Sequence, residues 1–221
     1  MPPLLQKGFP QDFVFLIANQ VNFKSDTGHN WRKTLPLNDR KEALNLLNAK
    51  IRQPNLIKHC LATEAIMRAL ARRLGTDVEL WGLTGLLHDL DLEQTRNDQR
   101  EHARIGAEIL KKAGFPEEGV SAILAHNGEV LGIERHTPLE HALACAETVT
   151  GLIVATALVQ AEKKLASVKP DSVIKRMKEK RFAQNVNREI IRECENLGLE
   201  LDDFIRLSLE AMQGIADELG L

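Results

Sequence analysis

The stretch "LWGLTGLLHDLD", residues 80–91, decides how the rest of the chain is read. It begins as an apolar run and ends on His88 and Asp89, an imidazole next to a carboxylate. Inside a helix, neighbouring side chains point about 100° apart and do not easily reach one ion. At a helix C-terminus the backbone loosens, and both can turn the same way. The polar text that follows, "LDLEQTRND" (90–98), reads as a loop and places the pair at such an end.

Outward from this pair, other polar side chains stand on apolar helix faces. His59, in "NLIKHCLATEAIMRAL" (55–70), shares a face with Leu56, Ile66 and Leu70. His102, in "EHARIGAEIL" (101–110), aligns with Ile105, Gly106 and Ile109, and His126 ends "SAILAHNG" (121–128) in line with Ala122 and Ile123. Glu147 is the single charge in "LACAETVTGLIVATALV" (143–159), on a face with Ala144, Val154 and Leu158. No Lys or Arg lies between Arg135 and Lys163 to neutralise it from its own helix. A buried imidazole or carboxylate without a partner is costly. One by one, each histidine reads as a satisfied core residue; four of them, with Asp89 and Glu147, point to a shared cation. The mixture of imidazole nitrogen and carboxylate oxygen suits Mn²⁺, Fe²⁺, Co²⁺ or Ni²⁺ better than a four-coordinate structural Zn²⁺, with Mg²⁺ and Zn²⁺ left open.

Other chemistries find no support. His-Glu-x-x-His and Glu-x-x-His spacings are absent, as are P-loop, Gly-x-Ser-x-Gly and Gly-x-Gly-x-x-Gly motifs. Cys60, Cys145 and Cys194 are odd in number and lack Cys-x-x-Cys spacing, which argues against a disulfide framework and a thiolate zinc site. Cys60 and Cys145 read as small core residues in a reducing compartment.

The composition, rich in Ala, Leu, Glu, Lys and Arg, predicts an all-α chain. Periodicity places helices near 39–51, 55–74, 78–89, 99–113, 117–126, 138–160, 171–181, 187–196 and 201–219. Gly75, Gly114 and Gly128 sit where helices should stop. "TPLE" (137–140) reads as a capping box, which gives Glu140 a structural role rather than a ligand's. Three segments are expected: an N-terminal extension over 1–36 with one short helix, a helical metal-binding core over 37–165, and a C-terminal helical extension over 166–221 that packs on the core. Residues 169–192 hold eight Lys/Arg against three acids, whereas 193–221 hold eight acids against Arg206. Two complementary surfaces of one domain are the expectation.

These blocks resemble the HD superfamily of metal-dependent phosphohydrolases, whose pattern is His, then His-Asp, then a later Asp on a long helix. By position these correspond to His59, to His88 and Asp89, and to Glu147. "HARIGAEIL", "AILAHN" and "TGLIVATALV" continue the likeness, which covers about residues 37–221 and implies an HD-domain helical bundle with additional C-terminal helices. The resemblance further implies a binuclear site, with His59, His88, Asp89 and Glu147 on one divalent ion and Asp89, His102 and His126 on the other. Glu147 departs from the family's Asp. Its extra methylene moves the carboxylate by roughly 1.5 Å, against a tolerance of about 0.2 Å in ligand distances.

The expected activity is hydrolysis of a nucleotide or other small phosphoester by metal-activated water. Asp89 would orient the attacking water, and His102 or His126 would donate a proton to the leaving group if a single metal binds. Lys58, Arg135 and the "KRMKEKR" run (175–181) are candidate phosphate contacts. Two alternatives stand beside this: a metal-binding protein with weak or lost catalysis, and a di-iron oxygenase. A net charge of −2 and nine Phe and Trp residues, without aromatic–basic interleaving, argue against nucleic acid. "FVFLIA" (13–18) is too short for a membrane span, so a cytoplasmic protein without membrane partners is expected, with homo-oligomers left open.

Overall fold

A computed structural model describes residue 37 and residues 39–221, which belong to one compact unit, Thr34–Leu221. The expected extension over 1–36 and its short helix lie outside the described residues. Helices follow in the order α1 (Arg40–Lys50), α2 (Pro54–Leu74), α3 (Val78–Leu87), α4 (Leu92–Thr95), α5 (Arg104–Lys112) and α6 (Glu117–His126). They continue with α7 (Gly128–Leu131), α8 (Pro138–Leu158), α9 (Pro170–Lys178), α10 (Arg188–Arg192), α11 (Leu201–Gln213) and α12 (Ala216–Leu219), with 3₁₀ turns at Leu165–Ser167 and Glu193–Leu197. Among the described residues there is no strand; the fold is an all-α bundle.

Local chemistry sets the helix ends. Pro54 opens α2 at its first position and Gly75 closes it with φ +70°. The Asp77 side chain then accepts from Glu79 N and Leu80 N and starts α3 after the shortest of turns. The two helices lie close because Gly85 faces α2: a Cβ there would come within 3.0 Å of Thr63 O and 3.1 Å of Glu64 N. Thr137 and Glu140 form the expected capping box of α8, and Glu140 also accepts from His136 N and Ser121 Oγ.

The core sits around α2, α3 and α8, with Ile66, Met67, Leu70, Leu83, Leu86 and Leu87 among its fully buried side chains. α8 is flanked by α2, α6, α9, α10 and α11, so α9, α10 and α11 lie directly on it, while α12 packs on α2. By length and composition α8 is apolar enough to cross a membrane, but 61% of that window is buried inside the bundle, as in a core helix. Cys60, Cys145 and Cys194 are buried free thiols. Glu64, also buried, is held by Arg40 and Arg68.

Three expectations shift. The helix expected from 99 begins only at Arg104, because residues 99–103 turn and Ala103 takes φ 71°. The helix expected over 201–219 breaks at Gly214 and Ile215 into α11 and α12. The Glu147 face of α8 is only partly covered: Ala144 is buried, but Leu158 is 49% exposed and Val154 half-buried, lining a cavity. Among the described residues two ion pairs join the basic and acidic stretches, Arg192–Glu195 and Arg206–Asp171. Of these, Arg192–Glu195 at 3.3 Å joins a cation of 169–192 to a carboxylate of 193–221.

Candidate metal centre

His59 projects from the second turn of α2. His88 caps the C-terminus of α3, and Asp89 follows in the turn that Leu90 N→Leu87 O and Leu92 N→Asp89 O close. His102 sits in the turn before α5, and His126 is the last residue of α6. Four separate helix ends or turns thus deliver their side chains to one place. His59, His88 and Asp89 each offer a ligand atom within 4.8 Å of the others, and Asp89, His102 and His126 form a second such group. Asp89 is common to both. Its Oδ1 lies 3.4 Å from His88 Nε2, 3.4 Å from His102 Nε2 and 3.5 Å from His126 Nε2, and its Oδ2 lies 3.6 Å from His59 Nε2.

Hydrogen-bond accounting fixes the histidine tautomers. His88 Nδ1 faces Gly85 O at 2.8 Å and His126 Nδ1 faces Ile123 O; a carbonyl only accepts, so both Nδ1 atoms carry the proton. His102 Nδ1 donates to Asp91 Oδ1 at 2.8 Å. Thr150 Oγ1 gives its own proton to Glu147 O at 2.6 Å, and so accepts from His59 Nδ1 at 2.9 Å. In their neutral forms all four rings therefore turn a bare Nε2 lone pair inward. His59 and His88 Nε2 face each other at 3.2 Å, and His102 and His126 Nε2 at 3.1 Å. Two lone pairs at that separation repel unless a positive charge lies between or beside them. The donor set fits divalent cations on both sides of Asp89, with every imidazole oriented by an acceptor behind it.

Without a cation, protons carry that charge. Burial works against a charged His102, but hydrogen bonds with Asp89 and Asp91 outweigh it and lift the ring to about 9. Burial drops His59 to about 4 and also lowers His126. His88 is raised despite burial, by the Asp89 carboxylate. Asp89 itself is held well below the usual carboxylate range: burial opposes its charge, and the surrounding imidazoles overcome that.

The other sequence candidates are placed differently. Glu147 is absent from both groups; its carboxylate accepts from Thr148 Oγ1, and burial pushes it up to about 7. It lines a cavity of about 330 Å³ with His59, Thr148 and Thr150. Lys58 lines a larger cavity of about 550 Å³, mostly aliphatic, on the other side of His59. Arg135 is 8% exposed and committed to Glu129, Glu193 and the Ala125 carbonyl, so its guanidinium is not offered to a ligand. The partner Glu193 is 58 residues away in sequence, which hid this role. Two supporting residues escaped the sequence reading. Asp91 is 1% exposed and accepts from His102 Nδ1, Ala103 N and Gly106 N. Gly106 admits it, since a Cβ there would meet Asp91 Oδ2 at 3.3 Å. The signal was the Asp89-x-Asp91 spacing inside a stretch read only as polar loop. Thr150, one turn after Glu147, stands inside a run of mostly apolar residues that gives no sign of its role.

A family model for the HD domain matches residues 56–168, just over half of the chain and the whole of this centre. The chain belongs to the HD-domain family. Among its relatives, an uncharacterized protein of Methanocaldococcus jannaschii is 34% identical over 156 residues, which span 66% of this chain and 87% of that protein. Ribonuclease Y 2 of Levilactobacillus brevis is 33% identical over 97 residues, 44% of this chain and 18% of that protein. Ribonuclease Y of Fusobacterium nucleatum is 33% identical over 76 residues, 34% of this chain and 15% of its own length. The chain thus spans less than a fifth of the ribonuclease Y relatives. No solved structure matches it. Helices α9 to α12 lie beyond the HD match.

Proposed function

We propose that this HD domain is a metal-dependent phosphohydrolase acting on small phosphoesters. The observation that carries the reading is the pair of ligand groups sharing Asp89, four inward Nε2 lone pairs and one carboxylate, with His59 at the wall of two cavities. His59, His88 and Asp89 would hold one divalent ion, and Asp89, His102 and His126 a second. Divalent cations there supply Lewis acidity at phosphorus and an activated water. Asp89 would fix both positions relative to each other. His59, 26% exposed against 7% or less for the other three rings, is the member that substrate meets first. Lys58, its neighbour on α2, would meet a phosphate oxygen from the cavity side. His102 and His126 lie behind Asp89 and line neither cavity beside His59, which favours them as ligands over proton donors to a leaving group. The ribonuclease Y names add support at the level of the bond broken, a phosphoester. The position of Glu147 outside both groups favours a second reading, a metal-binding HD domain with little turnover.

One panel separates them. Aryl phosphates and nucleotides are assayed with Mn²⁺, Fe²⁺, Co²⁺, Ni²⁺, Mg²⁺ and Zn²⁺, alongside His88→Ala. Metal-dependent turnover lost in His88→Ala supports the hydrolase. Full metal occupancy of the wild type without turnover on any substrate supports the second reading.

A further inference from the structure

The cavity beside His59 and Glu147 continues onto Asn185, Val186 and Asn187. Those three residues are also a wall of a separate trough of about 550 Å³, lined by Lys178, Lys180, Arg188 and Arg192. The trough is built by α9, α10 and the turn between them, past the HD match, from the basic stretch that the sequence singles out.

Three of its four cations, Lys178, Lys180 and Arg188, lack counter-charges among the described residues. Among the described residues Lys178 and Lys180 join no ion pair, and both side chains are exposed. Arg188 meets no carboxylate: its guanidinium donates to the carbonyls of Phe182, Ala183 and Val186, and its Nε is buried without a partner. Those carbonyls fix the guanidinium in place without neutralising it. Glu189 is the one carboxylate on the trough wall, and Arg192 reaches Glu195 only at 3.3 Å. A cleft lined mainly by positive charge concentrates anions, and the exposed ammonium groups of Lys178 and Lys180 are free to meet phosphate oxygens.

We propose that this trough binds a second phosphate of the substrate, so that the chain prefers polyphosphorylated or phosphodiester-linked compounds over simple monophosphates. The inference rests on the hydrolase reading for the scissile phosphate, and on the common wall Asn185–Asn187 for the path between the two sites. A nucleoside triphosphate and a short 5′-phosphorylated oligonucleotide both offer that second phosphate.

The test is equilibrium binding of tripolyphosphate and of orthophosphate to the full chain with Mn²⁺, at about 0.15 M salt, where long-range surface charge is screened. Lys178→Gln/Lys180→Gln is compared with Lys163→Gln/Lys164→Gln, an equal loss of charge at exposed positions outside the trough. The trough variant should lose about tenfold or more in tripolyphosphate affinity, a change of about 1.4 kcal/mol, with orthophosphate unchanged and the control variant like wild type. Equal tripolyphosphate affinity in wild type and trough variant, or an equal loss in the control, overturns the proposal. Because binding is read without turnover, a failed hydrolase reading and a failed trough are told apart. A nucleoside triphosphate weakened more than a 5′-phosphorylated dinucleotide assigns the subsite to a polyphosphate tail; the reverse assigns it to a phosphodiester chain.

Discussion

The two halves of the metal centre are built from the same residue types but differ in what stands behind them. In the deep half, His102 and His126 are nearly sealed. His102 leans on Asp91, a buried carboxylate that also ties down Ala103 N and Gly106 N. In the open half, His59 is partly exposed and leans on a hydroxyl, Thr150, at the edge of two cavities. A carboxylate acceptor makes an imidazole more basic and a stronger ligand, whereas a hydroxyl only orients it. The comparison teaches a division of labour for the proposed hydrolase: the deep half would retain its cation and the open half would exchange ligands with substrate.

Asp89 belongs to both halves, so its loss should be the largest. Asp89→Asn should empty both positions and abolish turnover, beyond the ~10–100-fold cost usual for a supporting residue; metal analysis after dialysis checks it. Asp91→Asn should cut deep-half affinity by about 10–100-fold while sparing the open half. Titration calorimetry showing one weakened and one normal binding event would bear this out, and two equally weakened events would erase the distinction.

Protonation sharpens the same contrast in the metal-free protein. His102, raised to about 9 from an ordinary value near 6.5, stabilises the fold below pH 6.5 and loses that contribution as pH rises through about 9. His59, lowered to about 4, has the opposite sign: its contribution is present above pH 6.5 and is lost as pH falls through about 4. Imidazole proton NMR of the metal-free chain should show one ring titrating near 9 and one near 4. Four rings titrating together near 6.5 would mean that the halves do not differ. The smallest effect should come from Glu147→Gln. Glu147 stands outside both groups, so metal stoichiometry should stay as in wild type; loss of one equivalent would make it a ligand after all.

Much of this was legible in the sequence. An apolar run that stops on His88 and Asp89 reads as a helix end that can turn two polar groups one way, and the structure puts His88 at the C-terminus of α3. His59, His102 and His126 declared themselves by standing in apolar periodic runs, although His102 lies in the turn before α5 rather than on it. The limits came from partners that periodicity does not encode. Asp91 hid in a polar loop because its acceptors' partners, His102 and Gly106, come 11 and 15 residues later. The Glu147 face looked buried because its residues are apolar, but exposure depends on what packs opposite, and there α8 borders open cavities. Arg135 looked free because Glu193 lies on a distant 3₁₀ turn.

The central claim is that two cations flank one carboxylate. Anomalous diffraction from crystals grown with Mn²⁺ tests it most directly. The account predicts two peaks, one between His59 and His88 and one between His102 and His126, each within bonding distance of Asp89. A single peak away from Asp89, or none with the four rings hydrogen-bonded to one another, would contradict it.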